Sequence, residues 1–100
     1  MSFPYITTQY ENGTSGYIIW SNKLCMQWGH SASKTVSLMK AYKNTNYNVS
    51  ATGMPADRTN TAPMASNLDI DVGSVKTNSF AYYQYNTNYQ ADWFTIGYIA

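Results

Sequence analysis

The residues able to do chemistry in this chain are few, and their spacing limits what they can do. There is one cysteine, Cys25, and one histidine, His30. A thiolate or serine nucleophile needs a base held against it. Cys25 and His30 stand five residues apart in an alternating segment, and no serine carries the flanking glycines of a nucleophile elbow. Glycoside hydrolysis needs two opposed carboxylates. The acids are Glu11, Asp57, Asp69, Asp71 and Asp92; Asp69 and Asp71 share one side of a short strand, where a solvated face explains them. A lone cysteine forms no intrachain disulfide or multi-cysteine zinc site, and His30 reaches a ligand set only if copies gather around a symmetry axis. No glycine-rich phosphate loop occurs. The expectation is a protein without catalytic residues, metal or cofactor.

The abundant chemistry is that of binding polar, uncharged matter. Of 100 residues 16% are aromatic, ten of them tyrosine, and only 11% are charged, against about 25% in ordinary soluble domains. Amides and hydroxyls wet the surface instead. Sugars lay their C–H faces on aromatic rings and pair their hydroxyls with Asn, Asp and Arg. The available rings are Tyr42, Tyr47, Tyr83, Tyr85, Tyr89 and Trp93, although alternation sends about half of a strand's side chains inward. Tyr47, Tyr85 and Tyr89 are favoured because Asn-rich turns flank them, with Asn88, Asp57 and Arg58 as polar partners. Asp57 and Arg58 lie in the longest candidate loop, Gly53–Asn67, the kind of segment that carries binding. A net charge of +1 gives no steering toward nucleic acid or acidic membranes. No apolar run approaches membrane-spanning length.

The elements that must position these residues read as strands. Gly16–Gly29 forms a hairpin: Tyr17–Trp20 and Lys23–Trp28 flank Ser21-Asn22, with Asn suited to the positive φ of a short turn. Further strands are expected at Lys34–Tyr42, Tyr47–Thr52, Leu68–Val72, Val75–Tyr85 and Asp92–Ala100, with a turn at Asn86–Ala91. Residues 1–15 read as an extended lead-in before one domain over 16–100. Several short strands at this spacing, without helical periodicity, predict a single antiparallel β-sandwich. A last strand running to the final residue is what a terminal tip would show.

Two stretches carry a family resemblance. Gly16, Tyr17, Ser21, Asn22, Leu24, Met26, Gln27, Trp28 and Gly29, with Trp93, Ile96, Gly97, Tyr98 and Ala100 at the finish, resemble the small C-terminal tip domain of bacteriophage and tailocin tail fibres. The resemblance implies an H-type-lectin-like sandwich that trimerises at the distal end of the virion's fibre and meets a bacterial surface polysaccharide or outer-surface protein. It also implies structural roles for the shared residues: Trp28 between sheets, Gln27 on backbone or trimer contacts, Gly97 at a close strand approach or bulge. Lys23 stands where members commonly have Gly, and the third strand lacks their Phe-Pro pair. The other readings are a trimerisation cap that binds no receptor, or a stand-alone lectin or adhesin.

Overall fold

The computed structural model describes residues 3–59, 70–84 and 89–100, with the backbone alone at Tyr89. Among these residues there are strands and no helix. The strands are β1 (Ile6–Glu11), β2 (Gly16–Trp20), β3 (Leu24–Ser31), β4 (Thr35–Ser37), β5 (Asn48–Pro55), β6 (Ile70–Lys76), β7 (Ser79–Gln84) and β8 (Tyr89–Tyr98). They form two antiparallel sheets, β1-β2-β3-β8-β5 and β4-β7-β6, in a two-layer, sandwich-like arrangement. No described helix is long and apolar enough to cross a membrane.

Alternation decides the layers. On the face of the large sheet turned to the small one lie Cys25, Gln27 and Gly29 of β3 and Ala91, Trp93, Thr95 and Gly97 of β8. One core cluster joins Val36, Phe80 and Tyr82 of the small sheet to Ala91 and Trp93, with Phe80 and Trp93 edge to face at 5.7 Å, a favoured aromatic geometry. A second gathers Ile19, Cys25, Tyr42 and Tyr47. A Cβ at Gly97 would stand 2.5 Å from the Tyr47 Cβ, so this glycine serves close approach, as expected.

Several expectations need correction. The lead-in contains a true strand: β1 pairs with β2 from Ile6↔Trp20 to Glu11↔Gly16, although all six of its residues are exposed. The Lys34–Tyr42 strand is only Thr35–Ser37. Gln27, fully buried, takes over the backbone beyond it: its amide nitrogen donates to the Lys40 carbonyl at 2.8 Å and its oxygen accepts the Lys40 N–H at 3.1 Å. That diversion carries Tyr42 between the layers, where its hydroxyl meets the Cys25 carbonyl at 3.2 Å and Thr95 Oγ1 at 2.7 Å. The single strand over Val75–Tyr85 is instead the β6–β7 hairpin, with a register shift between Gly73 and Lys76 and Ser74 at φ 49°. The β2–β3 hairpin is present, but β3 runs on to Ser31 where the strand was expected to end at Trp28 and His30 to lie in a turn, and positive φ falls on Lys23, at 74°, one residue after Asn22; Asn22 accepts the Leu24 N–H at 3.1 Å instead.

Trp28 also lies elsewhere than expected. Gln27 faces inward, so the period of two sends Trp28 to the outer face of the large sheet. There Ile18, Trp20, Leu24, Met26, Phe94, Ile96 and Tyr98 accompany it, and none belongs to either core cluster.

Candidate functional site

β3 runs past the start of β2, so Gly29, His30 and Ser31 pair only with β8 on one side. The uncovered end of β3, the β1–β2 turn at Gly13-Thr14 and the chain following β5 enclose a concavity of about 450 Å³. Its apolar walls are the indoles of Trp28 and Trp93; its polar groups are His30, Arg58, Asp92 and Thr14. Gly29 makes this possible, since a Cβ there would meet Trp93 Cζ2 at 2.7 Å. Without it the Trp93 ring lies directly beneath the strand, in the core yet at the site.

Asp92 organises the polar side. Its carboxylate accepts two parallel N–H bonds from Arg58, Nη1 to Oδ1 at 2.8 Å and Nη2 to Oδ2 at 2.6 Å, the fork geometry that makes arginine–carboxylate pairs directional. On the adjoining strand position His30 Nδ1 donates to Asp92 Oδ1 at 2.7 Å. The far ring nitrogen meets the side-chain amide of Gln90, which can present oxygen or nitrogen to it by rotation. Arg58 is half exposed, with N–H groups beyond those given to Asp92. Two cation-capable groups on one carboxylate leave the cluster close to neutral when His30 is uncharged.

Hydrogen bonds from Arg58 hold the Asp92 carboxyl below its ordinary range, with desolvation opposing and the bond from His30 assisting. A carboxyl depressed in the folded state adds stability that is complete above its unfolded value, about 3.9, and disappears as pH falls through the folded value beneath it. The site is therefore expected to keep its form from neutrality down to about pH 5 and come apart below about pH 4. The Asp92 carboxyl resonance followed by NMR titration checks this, and Asp92→Asn should abolish the transition.

The candidate residues from sequence separate sharply. Arg58 is in the concavity. Asp57, its neighbour, turns away to cap its own loop, accepting the Thr59 N–H at 3.0 Å and hydroxyl at 2.6 Å, bonds that lower its pKa. Tyr47 is a core side chain: 7% exposed, stacked on Tyr42 at 4.3 Å, its hydroxyl donating to the Lys76 and Ser79 carbonyls. It has no face left for a ligand, because the close approach at Gly97 seats it between the layers. Tyr85 and Asn88 lie outside the described residues, as does the side chain of Tyr89. Sequence reasoning did not assign Asp92, His30, Trp28 or Thr14 to this site and had Trp93 only among the available rings. Asp92 and His30 pair across two strands distant in sequence, and the usable signal was that both sit at even positions of strands whose odd positions are core.

Catalytic pairing of Cys25 with His30 finds no support in the geometry. Cys25 is fully buried on the inner face, burial pushes its thiol up, and His30 is on the other face. No group of three metal-ligating side chains occurs among the described residues. No family model matches the chain, and neither a curated protein nor a solved structure shows significant similarity to it.

Proposed function

We propose that this chain is the non-catalytic receptor-binding tip of a bacteriophage tail fibre, a trimeric, lectin-like β-sandwich at the distal end of the virion's fibre that attaches to a neutral polysaccharide of a bacterial surface. The observation that carries the reading is the concavity itself. Two indoles form apolar walls beside a carboxylate, a guanidinium and an imidazole already bonded to one another. Ligand sites are of this kind, mainly apolar with a few oriented polar groups. Asp92 can accept from one sugar hydroxyl while Arg58 donates to its neighbour. A carboxylate sugar would confront Asp92, so uncharged hydroxyls suit the cluster better.

The outer face supports association of copies. Cross-strand rows set Leu24 against Tyr98 and align Ile18, Met26 and Ile96. Uncovered apolar rows of this kind mark interaction surfaces; the one charge set against them is the Lys43 ammonium, 5.5 Å from the Tyr98 ring centroid. They occupy the end of the sheet away from His30 and Asp92, leaving the concavity at the rim. Three copies, the number the family resemblance implies, would multiply a weak single-site affinity. Met26→Asp is expected to convert the assembly to monomers by light scattering, whereas a wild-type protein that is monomeric at high concentration would remove this part of the reading.

The recognition test is binding of the intact protein to an array of purified bacterial capsular and O-chain polysaccharides. Arg58→Ala should weaken binding about ten- to a hundredfold, because a hydrogen bond to a charged group contributes about 1.5–3 kcal/mol. Arg58 is exposed, so the fold should survive. Trimers that bind no polysaccharide would favour the capping module, for which the same apolar rows are sufficient.

A further inference from the structure

The glycan-binding concavity is not the only hollow that Trp28 borders. A second, of about 360 Å³, is lined by Gln9, Tyr10 and Glu11 of β1, Tyr17 and Ile18 of β2, and Trp28. We propose that the two hollows are consecutive subsites of one groove, and that the ligand is an extended stretch of neutral polysaccharide rather than a single terminal sugar. This inference rests on the carbohydrate reading given above.

Three observations carry it. The first is the seat of the indole. Gly16 lies opposite Trp28, and a Cβ there would come within 2.6 Å of Trp28 Cζ2. Only a bare backbone lets the ring lie down across β2, where it borders both hollows. The second is polarity on the far side. Gln9 and Glu11 are two residues apart on β1, opposite Ile18 and Gly16, and so share the face that carries Trp28. Glu11 is oriented by its own turn, one carboxylate oxygen accepting the Gly13 N–H at 2.6 Å, which leaves the other for a hydroxyl. The third is span. Glu11 is in register with Gly16, Trp28 and Phe94, so Asp92 lies three inter-strand steps across and two residues along β8, about 16 Å away. Several linked pyranose rings cover that length, and one does not. The groove meets the apolar rows at Ile18, on the line Gln9–Ile18–Met26–Ile96, whereas Leu24, Met26, Ile96 and Tyr98 line neither hollow.

The experiment compares mono-, di-, tri- and tetrasaccharide fragments of whichever polysaccharide binds on the array, titrated calorimetrically into the intact protein. Affinity should climb at least about tenfold between the monosaccharide and the trisaccharide, equivalent to about 1.4 kcal/mol. Gln9→Ala, and Gln9→Ala with Glu11→Ala, should remove most of that increment and leave monosaccharide affinity unchanged. Gln9→Ala alone preserves the Glu11 turn, which guards against a folding defect. Equal affinity for every length, or an increment untouched by both variants, would overturn the second subsite while the first stands. Absence of binding to any polysaccharide or fragment would instead remove the carbohydrate reading and the groove together.

Discussion

Trp93→Ala is expected to lower stability by about 3–5 kcal/mol, the usual cost of emptying a large aromatic site in a core, and to abolish ligand binding in whatever fraction stays folded. The ring packs edge to face on Phe80 within the core cluster and also walls the concavity beneath Gly29. A domain of this size has only about 5–15 kcal/mol in total, so the substitution removes a large share of its stability. Urea melts monitored by circular dichroism measure the first effect. Trp93→Phe separates the two, since it restores much of the buried volume without the breadth of the indole: stability should recover substantially and binding only in part. Full binding by Trp93→Ala would mean that this ring does not form the site.

Gln27→Ala should be nearly as damaging, at about 2–4 kcal/mol, because a buried polar group stripped of its partner costs about 1–3 kcal/mol and this change strands two. The Lys40 N–H and C=O both lose their bonds inside the protein. The segment they anchor holds Tyr42, so the hydroxyl bonds to Cys25 and Thr95 and the stack on Tyr47 should loosen with it. Gln27→Glu is the sharper test. A carboxylate accepts the Lys40 N–H but repels the Lys40 carbonyl, while a protonated carboxyl can serve both. Burial and that carbonyl would raise the glutamate's folded pKa above its unfolded value, about 4.3. The penalty should accordingly be small below about pH 4.3 and grow as pH rises toward the folded pKa. Denaturant midpoints against pH for Gln27→Glu and wild type check this; a Gln27→Glu midpoint that merely parallels wild type would show the clamp to be unimportant.

Tyr47 and Trp28 show where reading by residue type fails. Tyr47 beside Asn-rich turns has the makings of an exposed platform, and Trp28 in a strand has the makings of core. Their actual places are reversed. Gly97 admits Tyr47 between the layers; Trp28 is sent outside by alternation with the inward Gln27, and Gly16 opposite it leaves room for the ring. Arg58 was legible as a polar candidate in a long loop, but its partner was not. Asp92 is 34 residues distant, in a strand whose neighbours read as ordinary alternation. The polar inner residues Gln27 and Thr95 are equally misleading by composition, because their burial depends on a backbone segment and a tyrosine hydroxyl that arrive from elsewhere.

Local pattern determined the all-β class, the β2–β3 hairpin, the presence of a last strand (Tyr89–Tyr98 where Asp92–Ala100 was expected) and the scarcity of catalytic groups, since period-two alternation, turn residues and composition act over a few residues at a time. Tertiary structure alone decided that β1 is a paired strand, that β4 stops at Ser37, which face of the large sheet is the outside, and that His30, Arg58 and Asp92 meet in a concavity that Trp28 and Trp93 also line. Those outcomes depend on register between distant strands, where a shift of one residue exchanges the two faces, and no stretch of sequence contains both partners of such a pairing.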